Sequence, residues 1–174
     1  IKRTLVYFGG PGILDSSADV VIPGGGQLAK GDLNGDGYVD LITSNSETLY
    51  VYYGNAPAPL GIDTIPGLTI AAEHVADDFA YSLAMGDLNN DGFDDLVIGA
   101  RQYPGGLSNG KIYIYLGKSV PTDSADYTAS GDLSRDYYGY TVRIGDINGD
   151  QIKDLSVGSD SGGSGYINNT IDIF

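Results

Sequence analysis

One nine-residue pattern, Asp-x-Asn-x-Asp-x-x-x-Asp, occurs three times in this 174-residue chain and constrains its fold more than any other feature. It stands in GDLNGDGYVDLI from Gly31, GDLNNDGFDDLV from Gly86 and GDINGDQIKDLS from Gly145. The leading aspartates, Asp32, Asp87 and Asp146, recur 55 and then 59 residues apart. A second element recurs between them: LVYFGG from Leu5, YVYYGN from Tyr50 and YIYLGK from Tyr113. IDIF from Ile171 ends the chain where a next glycine would fall. Repetition at this period means one supersecondary unit built several times.

Each unit divides into four short strands. The first precedes the acidic loop, as at residues 82–85 and 141–144. The second follows it, as at 96–98 and 155–157. The third is the Tyr-rich run, and the fourth is the least regular, as at 67–72. Residues 112–116 alternate Ile and Tyr, which puts aliphatic side chains on one face of a strand and aromatic rings on the other. Pro57, Pro59, Pro66, Pro104 and Pro121 punctuate the intervals, and no segment has a helical period of useful length. Four strands in each unit of more than fifty residues is the arithmetic of a propeller blade. A β-sandwich has no need of the same acidic hairpin at the same point of every unit. The expectation is an all-β chain of about three β-propeller blades, each of four antiparallel strands. It divides into a partial blade at 1–22, blades at 23–77 and 78–135, and a partial blade at 136–174. A closed ring of three falls below the usual ~4–8 blades, so a fragment of a longer propeller or a subunit completed by neighbouring blades is expected. The first residue is Ile1 rather than Met, which fits a processed or excised chain.

Composition agrees with strands and turns: 14 Tyr, 27 Gly and 7 Pro stand against only 9 Lys and Arg together. No stretch approaches the ~20 apolar residues of a membrane-spanning helix, so no membrane insertion is expected. The formal charge of −14 argues against nucleic acid or anionic lipid as partners. Nine of the 23 acidic residues are aspartates at equivalent positions of the three loops. Cysteine is absent, so any staple must be something other than a disulfide, and metal can serve.

The loops have the chemistry of calcium sites. Oxygen donors at alternate positions converge when the backbone curls about a point, and Ca²⁺ accepts ~6–8 oxygens at ~2.3–2.6 Å. In the first loop Asp32, Asn34 and Asp36 offer side-chain oxygens, Tyr38 its main-chain carbonyl, and Asp40 closes the site. Asp87, Asn89, Asp91, Phe93 and Asp95 repeat the set, as do Asp146, Asn148, Asp150, Ile152 and Asp154. The spacing is also that of an EF-hand, which requires a Glu at position 12 and flanking helices. Position 12 here is Thr43, Ile98 or Val157, and the flanks are strands, so that alternative fails. Three hairpin turns without a cation would crowd carboxylates together with no counterion. Position 6 is Gly37 and Gly92 but Gln151 in the third loop. A sharp turn there favours Gly, so the third site is expected to be the most strained.

On these residues the chain resembles the FG-GAP repeats of the integrin α-subunit β-propeller and its prokaryotic relatives, over nearly its whole length. The Phe-Gly position is matched as Phe79-Ala80 and Tyr138-Gly139, and the Gly-Ala-Pro position as Gly99-Ala100 followed by Arg101. The resemblance implies acidic loops that join the first two strands of a blade and bind Ca²⁺, in propellers usually of seven blades. It also implies a non-enzymatic extracellular adhesion or structural module whose partner is a protein or glycan surface ligand, or neighbouring subunits or blades. An extracellular or cell-surface location agrees with loops that lack the position-12 Glu, since extracellular modules work at ~10⁻⁴–10⁻³ M calcium. Two other classes compete. One is a lectin-like propeller in which Tyr137, Tyr138 and Tyr140 stack on sugars; the other is the accessory propeller of a larger secreted enzyme. No nucleophile–base pair is evident: His74 stands alone as a surface residue, and Asp94 is taken as a solvated neighbour of a ligand. Asn168-Asn169-Thr170 forms a glycosylation sequon. The Asn-Gly-Asp runs at 34–36 and 148–150 face the metal and are rejected as recognition motifs.

Overall fold

The computed structural model describes residues 2–9, 17–45, 47–55, 61–131 and 135–160. Among these every regular element is a strand: β1 (Arg3–Val6), β2 (Val20–Pro23), β3 (Leu28–Gly31), β4 (Asp40–Asn45), β5 (Thr48–Tyr52), β6 (Leu68–Ala71), β7 (Ser82–Gly86), β8 (Asp95–Ala100), β9 (Lys111–Tyr115), β10 (Tyr127–Ser130), β11 (Thr141–Gly145) and β12 (Asp154–Gly158). They form four antiparallel sheets, each a meander of consecutive strands: β1-β2, β3-β4-β5-β6, β7-β8-β9-β10 and β11-β12. The two four-stranded sheets have the make-up of propeller blades. The sequon and the run at 170–174 lie outside the described residues.

The sheets stack face to face, with first strands β3, β7 and β11 meeting in order. The alternation of β9 explains the stacking. Ile112 and Ile114 enter a core with Val97, Val142 and Tyr138, while Tyr113 and Tyr115 enter another with Ile42, Val51, Leu96 and Ile98. A strand that is apolar on both faces must be covered on both, and all six residues of β8 are buried. A third core joins Val20 and Ile22 of β2 to Tyr52. Each fully buried Ile or Val contributes about 1.5–3 kcal/mol relative to exposure. The β7–β10 sheet is also tied to the segment leading into β11 by the Ser82 hydroxyl, which donates to the Gly139 carbonyl at 2.8 Å.

The Phe-Gly position is a core position. Phe79 is buried edge-on against Tyr113, with ring centroids 5.6 Å apart. Ala80 and Gly139 occupy equivalent places with φ of +56° and +82°. Tyr138 is 3% exposed, which removes it from any sugar-stacking surface. Its ring fills the seam that Phe79 fills one blade earlier. Tyr140 instead leans on Tyr81, with centroids 5.1 Å apart, and the Arg101 guanidinium lies 3.8 Å from the Tyr81 ring centre.

Candidate metal centres

The three acidic loops occupy the β3–β4, β7–β8 and β11–β12 turns. Strands flank each loop, and pairing of those strands fixes its ends: Gly31 opposes Asp40, Gly86 opposes Asp95 and Gly145 opposes Asp154. The nine-residue loops, each running from the residue after its glycine to that aspartate, follow nearly one hydrogen-bonding scheme. In the first loop Asp32 accepts from the Asp36 and Gly37 N–H groups at 3.1 and 2.8 Å. Asn34 Oδ1 also accepts from Asp36 N–H, while its Nδ2 donates to Asp36 Oδ2. Asp36 Oδ1 takes the Tyr38 N–H at 2.9 Å. The second loop repeats this with Asp87, Asn89, Asp91 and Phe93. In the third, Asn148, Asp150 and Ile152 keep the scheme, but Asp146 takes the N–H groups of Gly149 and Gln151. Position 6 is left-handed in all three loops, with φ of +86° at Gly37, +90° at Gly92 and +75° at Gln151.

The ninth position is held from two sides. Asp40 Oδ2 accepts from Leu33 N–H and its Oδ1 from Gly54 N–H, both at 2.9 Å. Asp95 is held by Leu88 at 2.9 Å and Gly117 at 2.8 Å. Gly54 and Gly117 are the glycines that end the repeated Tyr-rich runs, and each approaches its loop closely. A Cβ on Gly54 would lie 2.5 Å from the Val39 carbonyl oxygen, and one on Gly117 would lie 2.6 Å from that of Asp94. Both carboxylates are fully buried. Asp154 is half-buried and takes the Ile147 and Asn148 N–H groups on one oxygen.

Burial pushes the Asp40 carboxyl up to about 6, against the pull of the Gly54 and Leu33 hydrogen bonds, and repulsion from Asp36 and Asp32 adds to the rise. Asp95 is raised for the same reasons, with Asp91 and Asp87 as the repelling charges. The carboxylates of a loop are thus near enough to repel. They are turned onto backbone N–H groups, and among the described residues no three acidic or imidazole side chains converge as a ready-made metal cage. The donor set still fits a hard cation. Every donor is oxygen, three are carboxylates, and a carboxylate with about four lone-pair sites has capacity left after one or two hydrogen bonds.

Two roles escaped the sequence reading. Gly54 and Gly117 recur visibly in the Tyr-Gly runs, yet only the fold shows them gripping Asp40 and Asp95. Asp94 is not a merely solvated neighbour: its Oδ2 accepts from Asp32 N–H at 2.9 Å and its N–H donates to the Asp32 carbonyl at 2.9 Å. No local signal marks a bond between residues 62 apart in sequence. His74 is half exposed, with Nδ1 3.6 Å from Asp77, whose buried carboxylate is engaged by the His74 and Gly105 N–H groups.

The FG-GAP repeat family matches residues 24–55 and 79–115, which include the first and second acidic loops. Phosphatidylinositol-glycan-specific phospholipase D of Dictyostelium discoideum is 29% identical over 182 aligned residues, covering 86% of this chain and 19% of that protein. Integrin alpha-V of Gallus gallus is 39% identical over 79 residues, 45% of this chain and 7% of its own length. Integrin alpha-6 of Homo sapiens is 34% identical over 98 residues, 55% of this chain and 9% of its own. The chain therefore spans less than a fifth of each of these relatives. It carries FG-GAP repeats and is homologous to integrin α subunits and to phosphatidylinositol-glycan-specific phospholipase D.

Proposed function

We propose that this chain is a non-enzymatic calcium-binding module that serves outside the cell as an adhesive or structural element. The observation that carries the reading is the loop scheme itself: three turns, each with three carboxylates, an Asn oxygen and a position-7 carbonyl at fixed places. In the first two, Asp40 and Asp95 are buried against their preference for water and repelled by their own loop. Asp32, Asn34, Asp36 and Asp40 with the Tyr38 carbonyl would hold the first ion, and the corresponding residues the other two. A bound cation supplies the positive charge that offsets the repulsion. The chain's own residues orient the donors, and Gly54 and Gly117 keep the ninth-position carboxylates from swinging out. Any ion bound only by the folded state stabilises it by RT ln(1 + [L]/Kd), about 2.7 kcal/mol at a hundred times Kd.

Thermal unfolding in EDTA and in millimolar Ca²⁺ tests this, with calorimetry to count ions. A higher melting temperature in calcium and three ions per chain are expected. Superimposable melts would reject the proposal.

One comparison favours a second reading, that of an accessory propeller of a larger enzyme. The phospholipase D relative aligns with 86% of this chain. Hydrolysis of a phosphatidylinositol-glycan by the 174-residue chain would overturn the non-enzymatic reading. Glycan-array binding abolished by EDTA would move the module towards carbohydrate recognition.

A further inference from the structure

The first two loops are wired together through the backbone. One tie is the reciprocal pair between Asp94 and Asp32. The peptide group that supplies the Asp94 N–H also carries the Phe93 carbonyl, the position-7 donor of the second loop. Turning that carbonyl towards an ion therefore moves an N–H bonded to the first residue of the first loop. The second tie starts at Asp95, whose Oδ1 is held by Gly117 N–H. The next residue, Lys118, donates its N–H to the Leu33 carbonyl at 3.0 Å, and Leu33 N–H holds Asp40. Position 9 of one loop is thus joined to position 9 of the other through two pairs of adjacent peptide groups, one pair at Gly117–Lys118 and one at Leu33. The Phe93 ring also lies over the first loop so closely that a Cβ on Gly35 would come within 2.3 Å of it.

Among the described residues the third loop shows neither tie. Position 8 there is Lys153, whose ammonium cannot accept an N–H as Asp94 does. Among the described residues no hydrogen bond joins the third loop to the second.

We propose that the first and second loops bind calcium as a coupled pair while the third binds independently, with Asp94 as the positioning residue of the pair. This rests on the calcium reading above. Coupling of this kind is reciprocal: a filled second site raises the affinity of the first by the same factor as the reverse.

The test is a Ca²⁺ titration of the whole 174-residue chain followed by amide NMR, with the Gly37, Gly92 and Gln151 signals reporting the three sites separately. Asp91→Ala disables the second site and removes no hydrogen bond of either tie, and Asp150→Ala disables the third. The first site should weaken by about fivefold or more in Asp91→Ala, within the usual range of coupling, and stay unchanged in Asp150→Ala. Asp36→Ala should weaken the second site by the same factor. If Asp91→Ala loses its dispersed sheet amides, Asp91→Asn takes its place. In an Asp94→Ala background the effect of Asp91→Ala on the first site should fall by at least half. Asp94→Asn, which keeps an acceptor oxygen, should restore it; a purely structural role for Asp94 would leave the coupling factor unchanged. Three sites that fill independently would overturn this inference and leave the calcium reading standing. No calcium binding at all would overturn both.

Discussion

The backbone N–H of Gly117 donates to Asp95 Oδ1 at 2.8 Å, across 22 residues of chain. The bond requires the strand end to lie almost on the loop. A methyl group at Gly117 would sit 2.5 Å from Phe93 Cβ as well as 2.6 Å from the Asp94 carbonyl oxygen. Neither is a flexible side-chain end, so the backbone must move. Gly117→Ala is expected to cost about 1–3 kcal/mol and to weaken calcium at the second site. Gly9→Ala is the control, because nothing lies within 4 Å of a Cβ there. Denaturant unfolding with calorimetry checks both variants.

Gln151 takes a left-handed backbone, φ +75°, where the other two loops have Gly. Relief of that strain in Gln151→Gly is worth about 1 kcal/mol, partly offset by the extra freedom glycine gains when unfolded. The variant should melt higher in EDTA and bind calcium more tightly at the third site alone. An unchanged third-site affinity would count against the argument.

The raised Asp40 carboxyl sets the pH response of the metal-free protein. Its folded value of about 6 lies above the ordinary 3.8, so between those values the folded state holds a proton that the unfolded chain has lost. Stability therefore falls as pH rises through this window, and Asp95 acts in the same direction. In EDTA the melting temperature should drop between pH 4 and about pH 6.5, and Asp40→Asn should make the dependence shallower. Calcium should reverse the slope by favouring the ionised carboxylates. A metal-free melting temperature that climbs over the same range would contradict the burial argument.

Glu73 gathers three donors: Lys111 Nζ, the Tyr113 hydroxyl at 3.0 Å and the Tyr103 hydroxyl at 3.3 Å. The Lys111 ammonium also lies over both rings, 4.4 Å from the Tyr103 centre and 4.6 Å from that of Tyr113. The Lys111 side chain is 11% exposed and that of Glu73 is 43% exposed. Glu73→Gln should cost about 1–2 kcal/mol, less than the ~3–5 of a fully buried pair because water screens the Glu side. The Lys111 hydrogen bond holds the Glu73 carboxyl below its ordinary value. Its contribution is complete above the unfolded value of 4.5 and is lost as pH falls through the lower folded value. The difference between wild type and variant should therefore shrink towards pH 3 in urea unfolding.

What could be read in advance was whatever depended on period. Alternation at 112–116 placed Ile112 and Tyr113 in different cores, and the repeat spacing placed the acidic turns between paired strands. What escaped depended on folding distance. Gly54 reaches Asp40 over 14 residues and Gly117 reaches Asp95 over 22, because the insertion around Tyr103 lengthens the second blade. No single offset describes both. Tyr138 resembles an exposed aromatic until it is laid against the preceding β7–β10 sheet. Lys111 and Glu73, 38 residues apart, meet only once β9 is in place.

Among the described residues every sheet draws its strands from one uninterrupted stretch, yet the β7–β10 sheet is apolar on both sides. These facts pull in opposite directions while a ribosome is still making the chain. Local pairing lets β7 to β10 zip together quickly, since loop closure is short. The face with Ile112 and Ile114 then stays wet until β11 and β12 emerge, the last of them ending 28 residues after β10. At synthesis rates of about 5–20 residues per second, that delay is of order a few seconds. The nascent blade is most prone to stick to its neighbours during that interval, so slow translation through 131–158 is the step at which yield would be lost.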